Sequence, residues 1–371
     1  MDVRRAPRIL GPMRARLLVP LALLAVAVSP AAARAAVVGI SDQDPASFSD
    51  ARLRALPLGY ARLVLPYDAA TSEPARVRAW LAAAAAAGLR PHVAFQHADG
   101  TRCPDLPCSA PSRAAYGAAV RRFVGRFPQV RTYTTWNEAN HVSQPTASRP
   151  ELVAGYYEEL RAACPGCTVV AGDVLDSGAF IRWIQRFRAA TAATPRLWGL
   201  HNYSDVTYGR TSGTDAMLAA VPGRLWIEET GGIVTLRDAV GRVTLATDET
   251  RAARAVARAF AIARTRPRIA RMYVYQWRAG AADRFDSGLV RPDGTARAGL
   301  AVLASRVRAA ARAAATPRVT AAWAPARGRL VVRVACRAAN ERCRGRVAIA
   351  LSTRASAAAS TVTRSLARPA S

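Results

Sequence analysis

TYTTW (residues 132–136), ELVAGYYEELRAA (residues 151–163) and TVVA (residues 168–171) form the stretch that decides the fold of this chain. The first and third segments are short β-prone runs, and the second places apolar residues at helical spacing. Strand, helix and strand in this order make the repeating unit of α/β proteins, in which a helix returns the chain to begin a parallel strand. The same alternation continues outward in both directions.

Eight strand-like runs alternate with Ala- and Arg-rich stretches of helical period. They predict a (β/α)8 TIM barrel over residues 36–316, because that fold repeats strand and helix eight times. A doubly wound open sheet is the rival, but no G-x-G-x-x-G motif follows the first run, and eight units favour closure. The runs are 37–40, 60–65, 91–95, 132–136, 168–171, 197–201, 224–227 and 271–276, and the helical stretches include 73–87, 112–127, 151–163, 248–263 and 297–313.

Residues 1–35 have the form of a secretory signal peptide. Arginines come first, a 12-residue apolar stretch follows at 17–28, and Ala33-Arg34-Ala35 has the A-x-A form of a cleavage site. The apolar stretch is too short to span a bilayer, so we expect a secreted protein without a transmembrane anchor.

Residues 317–371 follow a different pattern of four short strand-like runs, at 318–324, 329–336, 346–352 and 360–366. They predict a short all-β C-terminal module, smaller than the roughly 100 residues of an immunoglobulin-type sandwich. The segment contains eleven arginines and one glutamate. Contact with an anionic cell wall or polysaccharide is one interpretation of this charge, and a solvated tail is the other.

The six cysteines fall into three close pairs, Cys103/Cys108, Cys164/Cys167 and Cys336/Cys343. Local disulfides in an oxidising compartment are the simplest interpretation. The C-x-x-C at 164–167 also allows a redox or metal role, but it closes a helix before a strand, whereas a thioredoxin-type motif opens a helix after one. With four histidines and no second C-x-x-C, we expect no metal site and no cofactor.

The formal net charge of +28 raises nucleic-acid binding as a hypothesis. The arginines are spread along the chain, lysine is absent, and no nucleic-acid recognition motif occurs. We therefore attribute the charge to compositional bias and expect no nucleic-acid partner.

Two carboxylates stand where strand-like runs give way to loop, Glu138 after the fourth run and Glu229 after the seventh. In a TIM barrel the carboxyl ends of all strands meet at one face, which carries the active site. Glycoside hydrolysis needs two such acids, one to protonate the leaving oxygen and one to attack the anomeric carbon. Glu228 is an alternative to Glu229, but strand alternation sends neighbouring residues to opposite faces, and Glu229 abuts the Thr-Gly-Gly turn.

Other polar and aromatic residues recur at the ends of the runs. Amides, carboxylates and histidines would satisfy sugar hydroxyls, and aromatic faces would cover the apolar face of a pyranose, so an oligo- or polysaccharide substrate is expected. These residues are Ser41, Asp42, Gln43, Asp44, Tyr67, Asp68, Gln96, His97, Asn137, Asp173, His201, Asn202, Tyr203, Gln276 and Trp277.

With its Asn137-Glu138 pair at the fourth run, the chain resembles clan A, the retaining (β/α)8 glycoside hydrolases that include cellulases, mannanases, xylosidases and β-galactosidases. The resemblance implies that Glu138 is the acid/base and that Asn137 holds the sugar 2-hydroxyl. It maps the nucleophile onto Glu229 in Glu229-Thr230-Gly231. Ala139 departs from the pattern, since many members have proline there, and this departure bears on the subfamily.

The resemblance also covers part of the clan's substrate-binding set. Arg62 matches an arginine near the nucleophile, His201-Asn202-Tyr203 matches the H-x-Y element of the sixth strand, and Trp277 matches a tryptophan of the eighth. From the residues alone, Arg62 is equally an ordinary ion-pair partner, the histidines are equally structural, and packing at the rim is the alternative role of Tyr203 and Trp277. The candidate substrate-binding residues are Asn137, Arg62, His97, His201, Tyr203 and Trp277.

These observations lead to one expected mechanism and one alternative. We expect cleavage of an O-glycosidic bond with retention, with Glu138 protonated, Glu229 ionised beside Arg62 and Tyr203, and the carboxyl groups about 5–5.5 Å apart. The alternative is a catalytically silent carbohydrate-binding TIM barrel at the cell surface, in which both acids serve only as hydrogen-bond acceptors.

Overall fold

Eight parallel strands surrounded by helices form a TIM barrel in this computed structural model. The structure describes residues 36–99, 103, 108–280 and 283–315, together with the strands Arg318–Ala324, Arg329–Ala335, Arg346–Leu351 and Ser360–Ser365. The predicted signal peptide and the third cysteine pair lie outside the described residues. We number the barrel strands 1 to 8 as Val37–Ser41, Tyr60–Pro66, Arg90–Gln96, Thr132–Thr134, Thr168–Val170 with Asp173–Leu175, Leu197–His201, Arg224–Thr230 and Ile269–Tyr275.

Strand 5 bends in its middle, and the bend closes the barrel. Its first half, Thr168–Val170, pairs with strand 4, and its second half, Asp173–Leu175, pairs with strand 6. Between them, the Ala171 amide donates to the Leu197 carbonyl at 3.0 Å. Strand 1 pairs with strands 2 and 8, so every strand has two neighbours. The predicted barrel is confirmed over the doubly wound alternative.

Helices return the chain between strands, and their starts are signalled locally. Ser112 caps the helix Arg113–Arg126 by accepting from the Ala115 amide at 3.1 Å, and Asp248 caps the helix Glu249–Thr265 by accepting from the Arg251 amide at 2.8 Å. Pro74 and Pro150 occupy first-turn positions, where a missing N–H costs nothing. The helices are α1 Ala51–Arg54, α2 Ala69–Ser72, α3 Pro74–Ala86, α4 Arg113–Arg126, α5 Pro150–Ala163, α6 Phe180–Ala190, α7 Tyr203–Tyr208, α8 Ser212–Ala220, α9 Glu249–Thr265 and α10 Ala298–Ala315.

The two faces of the strands differ in chemistry, although both are buried. Side chains that point outward, such as Leu63 and Leu65, join large helix residues such as Trp80 and Phe123 in one apolar core. Residues that point inward are largely polar, and Arg62 is fully buried among them. The helices are therefore held by hydrophobic burial, whereas the barrel interior is held by hydrogen bonds.

One hydrogen-bonded chain runs through this interior. Arg271 Nη1 donates to the Tyr273 hydroxyl at 3.1 Å, which lies 2.9 Å from His92 Nδ1. His92 Nε2 lies 2.8 Å from Thr134 Oγ1, whose hydroxyl donates to Glu228 Oε2 at 2.6 Å. Burial, and then the nearby arginines Arg62 and Arg271, lower the pKa of His92 well below its usual value, so the ring is neutral.

A small antiparallel sheet and two disulfides are added to the barrel. The loops after strands 7 and 8 form a three-stranded antiparallel sheet from Thr235–Arg237, Val243–Leu245 and Phe285–Asp286. Cys103 bonds to Cys108 and Cys164 to Cys167, which confirms the first two predicted disulfides. Within the described residues, no helix combines the length and apolar character needed to cross a bilayer.

The strands that follow the barrel match the predicted all-β segment. Arg318–Ala324 pairs with Arg329–Ala335, and Arg346–Leu351 pairs antiparallel with Ser360–Ser365. The chain divides into two compact units, with residues 319–333 in a different unit from the barrel.

Candidate active site

The carboxyl ends of the strands bring Glu138 and Glu229 together. Both face His201, whose Nδ1 lies 3.1 Å from Glu138 Oε1 and 3.6 Å from Glu229 Oε2. One carboxylate oxygen of each glutamate and this nitrogen lie within 4.8 Å of one another. Glu138 keeps 22% of its side-chain surface exposed, against 9% for Glu229, so a cleft reaches both acids.

The turn after strand 4 aims Glu138 at this cleft. Glu138 has φ of 47°, in the left-handed region that side chains other than glycine rarely adopt. Hydrogen bonds on both sides hold the turn, because the Asn137 amide donates to Phe95 at 2.7 Å and the Ala139 amide donates to Asp173 at 2.9 Å. Backbone strain of this kind concentrates at functional sites, where the surroundings impose it.

A bulge in strand 7 places Glu228 and Glu229 together in the interior. Ile227 pairs with Leu200, but Glu229, not Glu228, pairs with His201, so strand 7 contains one extra residue at this point. The same offset occurs against strand 8. The expectation from alternation that only one of the two acids points inward is therefore wrong. Gly199 makes room for Glu228, since a Cβ there would lie 2.8 Å from the Glu228 Cγ atom.

Arg62 is the centre of the charge network. Its Nη1 lies 2.5 Å from Glu229 Oε1, and its Nε lies 3.0 Å from Glu228 Oε2. Its Nη2 donates to Asp173 Oδ2 at 2.9 Å and to Asn137 Oδ1 at 2.8 Å. A guanidinium presents five donors in a fixed plane, so one residue can orient four side chains from the ends of three strands.

His201 links Asp173 to Glu138. Its Nε2 lies 3.0 Å from Asp173 Oδ2, and its Nδ1 contacts Glu138 Oε1 as described above. Burial alone would lower the pKa of His201, but the carboxylates of Asp173 and Glu229 and the hydrogen bonds to Asp173 and Glu138 raise it well above its usual value. The imidazolium therefore carries a proton on each nitrogen, one of them directed at Glu138.

The two catalytic candidates have shifted pKa values in opposite directions. Burial favours the protonated form of Glu138, but the hydrogen bond and charge of His201 outweigh burial and lower its pKa. For Glu229, burial outweighs the attraction of His201 and Arg62, and its pKa is raised. The expected assignment of a protonated Glu138 and an ionised Glu229 therefore does not match these directions. The proton associated with Glu138 resides on His201.

Glu228 belongs to the same network, one layer below the cleft. Burial raises its pKa to about 7, although Arg62 opposes the shift. Its Oε2 accepts from both Arg62 and Thr134, whereas its Oε1 has no hydrogen-bond partner among the described residues. A proton on Glu228 therefore occupies Oε1.

The other predicted site residues divide into two groups. Tyr203 joins the cluster, since its hydroxyl donates to Glu229 Oε2 at 3.2 Å and its ring packs edge-on against Phe285. Trp277 does not, because it is 1% exposed and its indole N–H donates to Asp50 at 3.0 Å. His97 is half-buried after strand 3, with Nδ1 3.0 Å from the Ala98 carbonyl oxygen. Substrate contact by Trp277 and His97 stays a prediction.

Three further residues contribute to the cluster, of which His141 and Thr134 were not singled out from the sequence. Ser41 donates to Glu229 Oε1 at 3.3 Å, and His141 Nδ1 lies 4.0 Å from Glu138 Oε2. Thr134 supports Glu228 from inside strand 4. The position of Ser41 at the end of strand 1 was a usable signal, but nothing in the sequence relates residue 134 to residue 228.

The carboxyl oxygens and the imidazole nitrogen of this cluster could also hold a divalent ion. Glu138, His201 and Glu229 offer one ligand atom each at suitable spacing, with Asp173 orienting the far side of the ring. The positive charges of Arg62 and His201 already balance part of the acidic charge there, so the described residues form an acid–base site without requiring a metal.

The fold of this barrel is similar to that of several solved glycoside hydrolases. No family model and no curated protein matches the chain. A family 39 glycoside hydrolase from Bacteroides cellulosilyticus WH2 is 15% identical with a TM-score of 0.50, covering 87% of this chain and 74% of that one. GH5_18 from Streptomyces cattleya, in complex with GlcNAc, is 14% identical with a TM-score of 0.55, covering 75% and 81%.

Native xylanase 10B from Thermotoga maritima is also similar, at 11% identity and a TM-score of 0.52, with 73% of this chain and 94% of that chain covered. Identities this low establish the fold alone. The neighbours confirm the predicted resemblance to (β/α)8 glycoside hydrolases at the level of architecture, with the subfamily unassigned.

Proposed function

We propose that this protein is a secreted O-glycoside hydrolase that cleaves β-linked sugars with retention of configuration. The observation that carries the proposal is the placement of Glu138 and Glu229 at one cleft, with carboxylate oxygens within 4.8 Å of each other. Retaining enzymes need their two carboxyl groups about 5–5.5 Å apart, whereas inverting enzymes need about 6.5 Å or more to admit a water.

In the first step, Glu229 attacks the anomeric carbon. A bond forms between its carboxylate oxygen and that carbon while the glycosidic C–O bond breaks. Arg62, Tyr203 and Ser41 all donate toward Glu229, which opposes the effect of burial on its pKa and fixes its orientation. Burial, followed by the charge of Glu229, raises the pKa of Tyr203 well above its usual value, so its phenol stays a neutral donor.

The leaving oxygen takes its proton from Glu138. The Glu138–His201 pair holds one proton on a 3.1 Å hydrogen bond, and its transfer from His201 Nδ1 to Glu138 makes the carboxyl an acid. Asp173 accepts from the other side of the ring and keeps that nitrogen protonated. In the second step Glu138 removes a proton from water, which attacks the glycosyl–Glu229 ester and releases the sugar.

The remaining parts of the chain follow from this assignment. We assign residues 36–316 to the catalytic domain, residues 1–35 to the export signal and residues 317–371 to an accessory segment. Asn137 is assigned to the substrate, because Arg62 fixes its carbonyl oxygen and sets the direction of its amide group. Two disulfides are compatible with an extracellular location.

A fluorinated aryl glycoside tests the nucleophile directly, because the fluorine slows breakdown of the covalent intermediate. Mass spectrometry of digested protein should place the label on Glu229. Glu228→Gln should still be labelled, whereas Glu229→Ala should not. Labelling of Glu228, or turnover by Glu229→Ala, would contradict the assignment.

The lowered pKa of Glu138 favours one second candidate, a carbohydrate-binding barrel without catalysis, since an ionised carboxylate accepts hydrogen bonds but donates none. A panel of aryl β-glycosides separates the two functions, with Glu138→Gln as the control. Sugar binding with no turnover by the natural chain would favour the second candidate.

A further inference from the structure

The amino ends of the strands form a second functional face, at the opposite end of the barrel from the cleft. All barrel strands run parallel, so their first residues lie together. Exposed arginines stand at the start of strand 3, just before strand 4, just before strand 6, at the start of strand 7 and just before strand 8. They are Arg90, Arg131, Arg196, Arg224 and Arg268, which we call the basic rim.

No acidic residue occurs in the connections that lead into the strands at this end. The connections at 55–59, 87–89, 127–131, 164–167, 191–196, 221–223 and 266–268 contain neither aspartate nor glutamate, and three of them, 127–131, 191–196 and 266–268, contain arginine. Connections at the cleft end contain carboxylates, and those that also contain arginine have both, such as the last of them with Asp283, Asp286 and Asp293. Compositional bias toward arginine explains the abundance of arginine and does not explain this segregation of acids.

Three members of the basic rim lie on consecutive strands. The Arg224 amide donates to the Arg196 carbonyl at 2.9 Å, and the Leu225 amide donates to the Arg268 carbonyl at 3.0 Å. Neighbouring strands are about 4.8 Å apart, so these like charges repel one another unless an anion lies between them.

The charges of the rim are not neutralised within the described barrel. Arg268 donates to the Leu218 and Gly223 carbonyls, and Arg131 donates to Gly166, but carbonyl acceptors leave the positive charge in place. No carboxylate of the described residues lies within ion-pair distance of Arg196 or Arg224. Arg266, beside the rim, differs because it pairs with Asp215 at 2.6 Å.

A further positively charged side chain, Arg271, lies inside the circle of the basic rim. Arg271 is half-buried, with its guanidinium 3.5 Å from the ring centre of Tyr60 and 3.7 Å from that of Trp226. Arg90 stacks on Tyr60 as well, at 4.2 Å. Aromatic faces hold these charges in position without cancelling them.

We propose that the basic rim is a docking surface for an acidic polysaccharide, a chain of sugars bearing repeated carboxylate or sulfate groups. Arginine pairs with such groups through two parallel hydrogen bonds, and several fixed arginines match an extended chain of anions. Because the rim lies at the far end of the barrel, an anchored molecule keeps its catalytic cleft open to substrate.

Other polyanions fit the rim less well. A membrane-bound face normally inserts apolar side chains, and Val37 is the only large apolar side chain that is well exposed at the start of a described barrel strand. Single-stranded nucleic acids need exposed aromatic rings for stacking, but Tyr60 and Trp226 are covered by arginines. Binding of an acidic polysaccharide requires positively charged side chains but no exposed apolar or aromatic surface.

Binding of polygalacturonate tests the proposal, measured on the full chain in a Glu229→Gln background so that no turnover intervenes. The test variant combines Arg131→Gln, Arg196→Gln and Arg224→Gln. The matched control combines Arg182→Gln, Arg254→Gln and Arg306→Gln, which removes the same charge from exposed arginines on the outer helices. The C-terminal arginines are identical in both variants.

We expect the test variant to bind polygalacturonate about tenfold to a hundredfold more weakly at 50 mM salt, and the control to lose less than about twofold. The difference should shrink at 200 mM salt, since exposed charges are screened. Equal losses in the two variants would overturn the proposal, as would equal binding of neutral dextran. Tighter rim-dependent binding to anionic vesicles or to DNA would also overturn it and identify a different partner. Thermal unfolding of both variants checks that they fold.

Discussion

The two ends of the barrel use arginine in opposite ways. At the cleft end, Arg62 is buried and pairs with Asp173, Glu228 and Glu229, so its charge is balanced by the candidate catalytic side chains that it orders. At the other end, Arg196 and Arg224 are exposed and face no carboxylate of the described barrel. Burial and neighbouring charge therefore decide whether an arginine organises the interior or presents charge to a partner.

Replacement of Arg62 should have the largest effect, because Arg62 is the buried arginine on which three ion pairs depend. Arg62→Met leaves three carboxylates without their shared cation, and removal of one partner of a buried ion pair costs about 3–5 kcal/mol of folding free energy. Urea titration should detect this loss together with loss of turnover. Unchanged stability would mean that the carboxylates hold one another through shared protons.

Glu138→Gln should reduce turnover by about 10²–10⁴-fold, the usual contribution of a general acid–base group. The loss should be largest for substrates whose leaving group is a poor one, since a good leaving group needs no proton. Kinetics on a series of aryl glycosides would measure this dependence. A uniform loss across the series would show that Glu138 acts only in binding.

Glu228→Gln should change how stability depends on pH. The folded pKa of Glu228 is raised to about 7 from 4.5, so its contribution to stability is complete below pH 4.5 and is lost as the pH rises through 7. Glutamine has no charge to bury and keeps one oxygen for Arg62 and Thr134. The variant should gain about 3 kcal/mol relative to the natural chain between pH 4.5 and pH 8.

Denaturant unfolding of the two proteins at several pH values would measure that gain. A stability difference that does not change with pH would place the titration on another member of the cluster, such as Glu229.

Arg224→Gln should have the smallest effect, at most about 0.5 kcal/mol on folding, since exposed side chains outside special features contribute little. Catalysis on a neutral aryl glycoside should not change. Urea titration would measure the stability difference, which can then be compared with that of Arg62→Met. A large loss would show that Arg224 has a structural partner.

The sequence was sufficient for the architecture because each barrel strand is an apolar run with helical periodicity after it. Seven of the eight predicted runs begin within one residue of the observed strand, and the last begins two residues early in the structure, at Ile269. Rules about strand ends then located Glu138 and Glu229. These inferences need only local pattern and the geometry common to all such barrels.

The remaining features depend on contacts between distant residues. The alternation of side chains along a strand predicted that Glu228 and Glu229 point to opposite faces, and this prediction was wrong. The bulge that brings them together depends on how strand 7 pairs with both of its neighbours, which the local sequence does not specify. The preference of His201 for Glu138 depends on ring orientation, which Asp173 fixes from strand 5. The burial of Trp277 depends on Asp42 and Asp50, which reach it from the first loop.

The hydrogen-bonded chain inside the barrel has a fixed polarity. Arg271 can only donate, and Glu228 Oε2 accepts at the other end, so Tyr273, His92 and Thr134 must all donate in the same direction. His92 consequently carries its proton on Nε2. Aligned bonds of this kind add up to a dipole whose positive pole lies toward Glu228, one layer below the cleft. The protein interior thus supplies a standing field whose positive side faces the candidate active site.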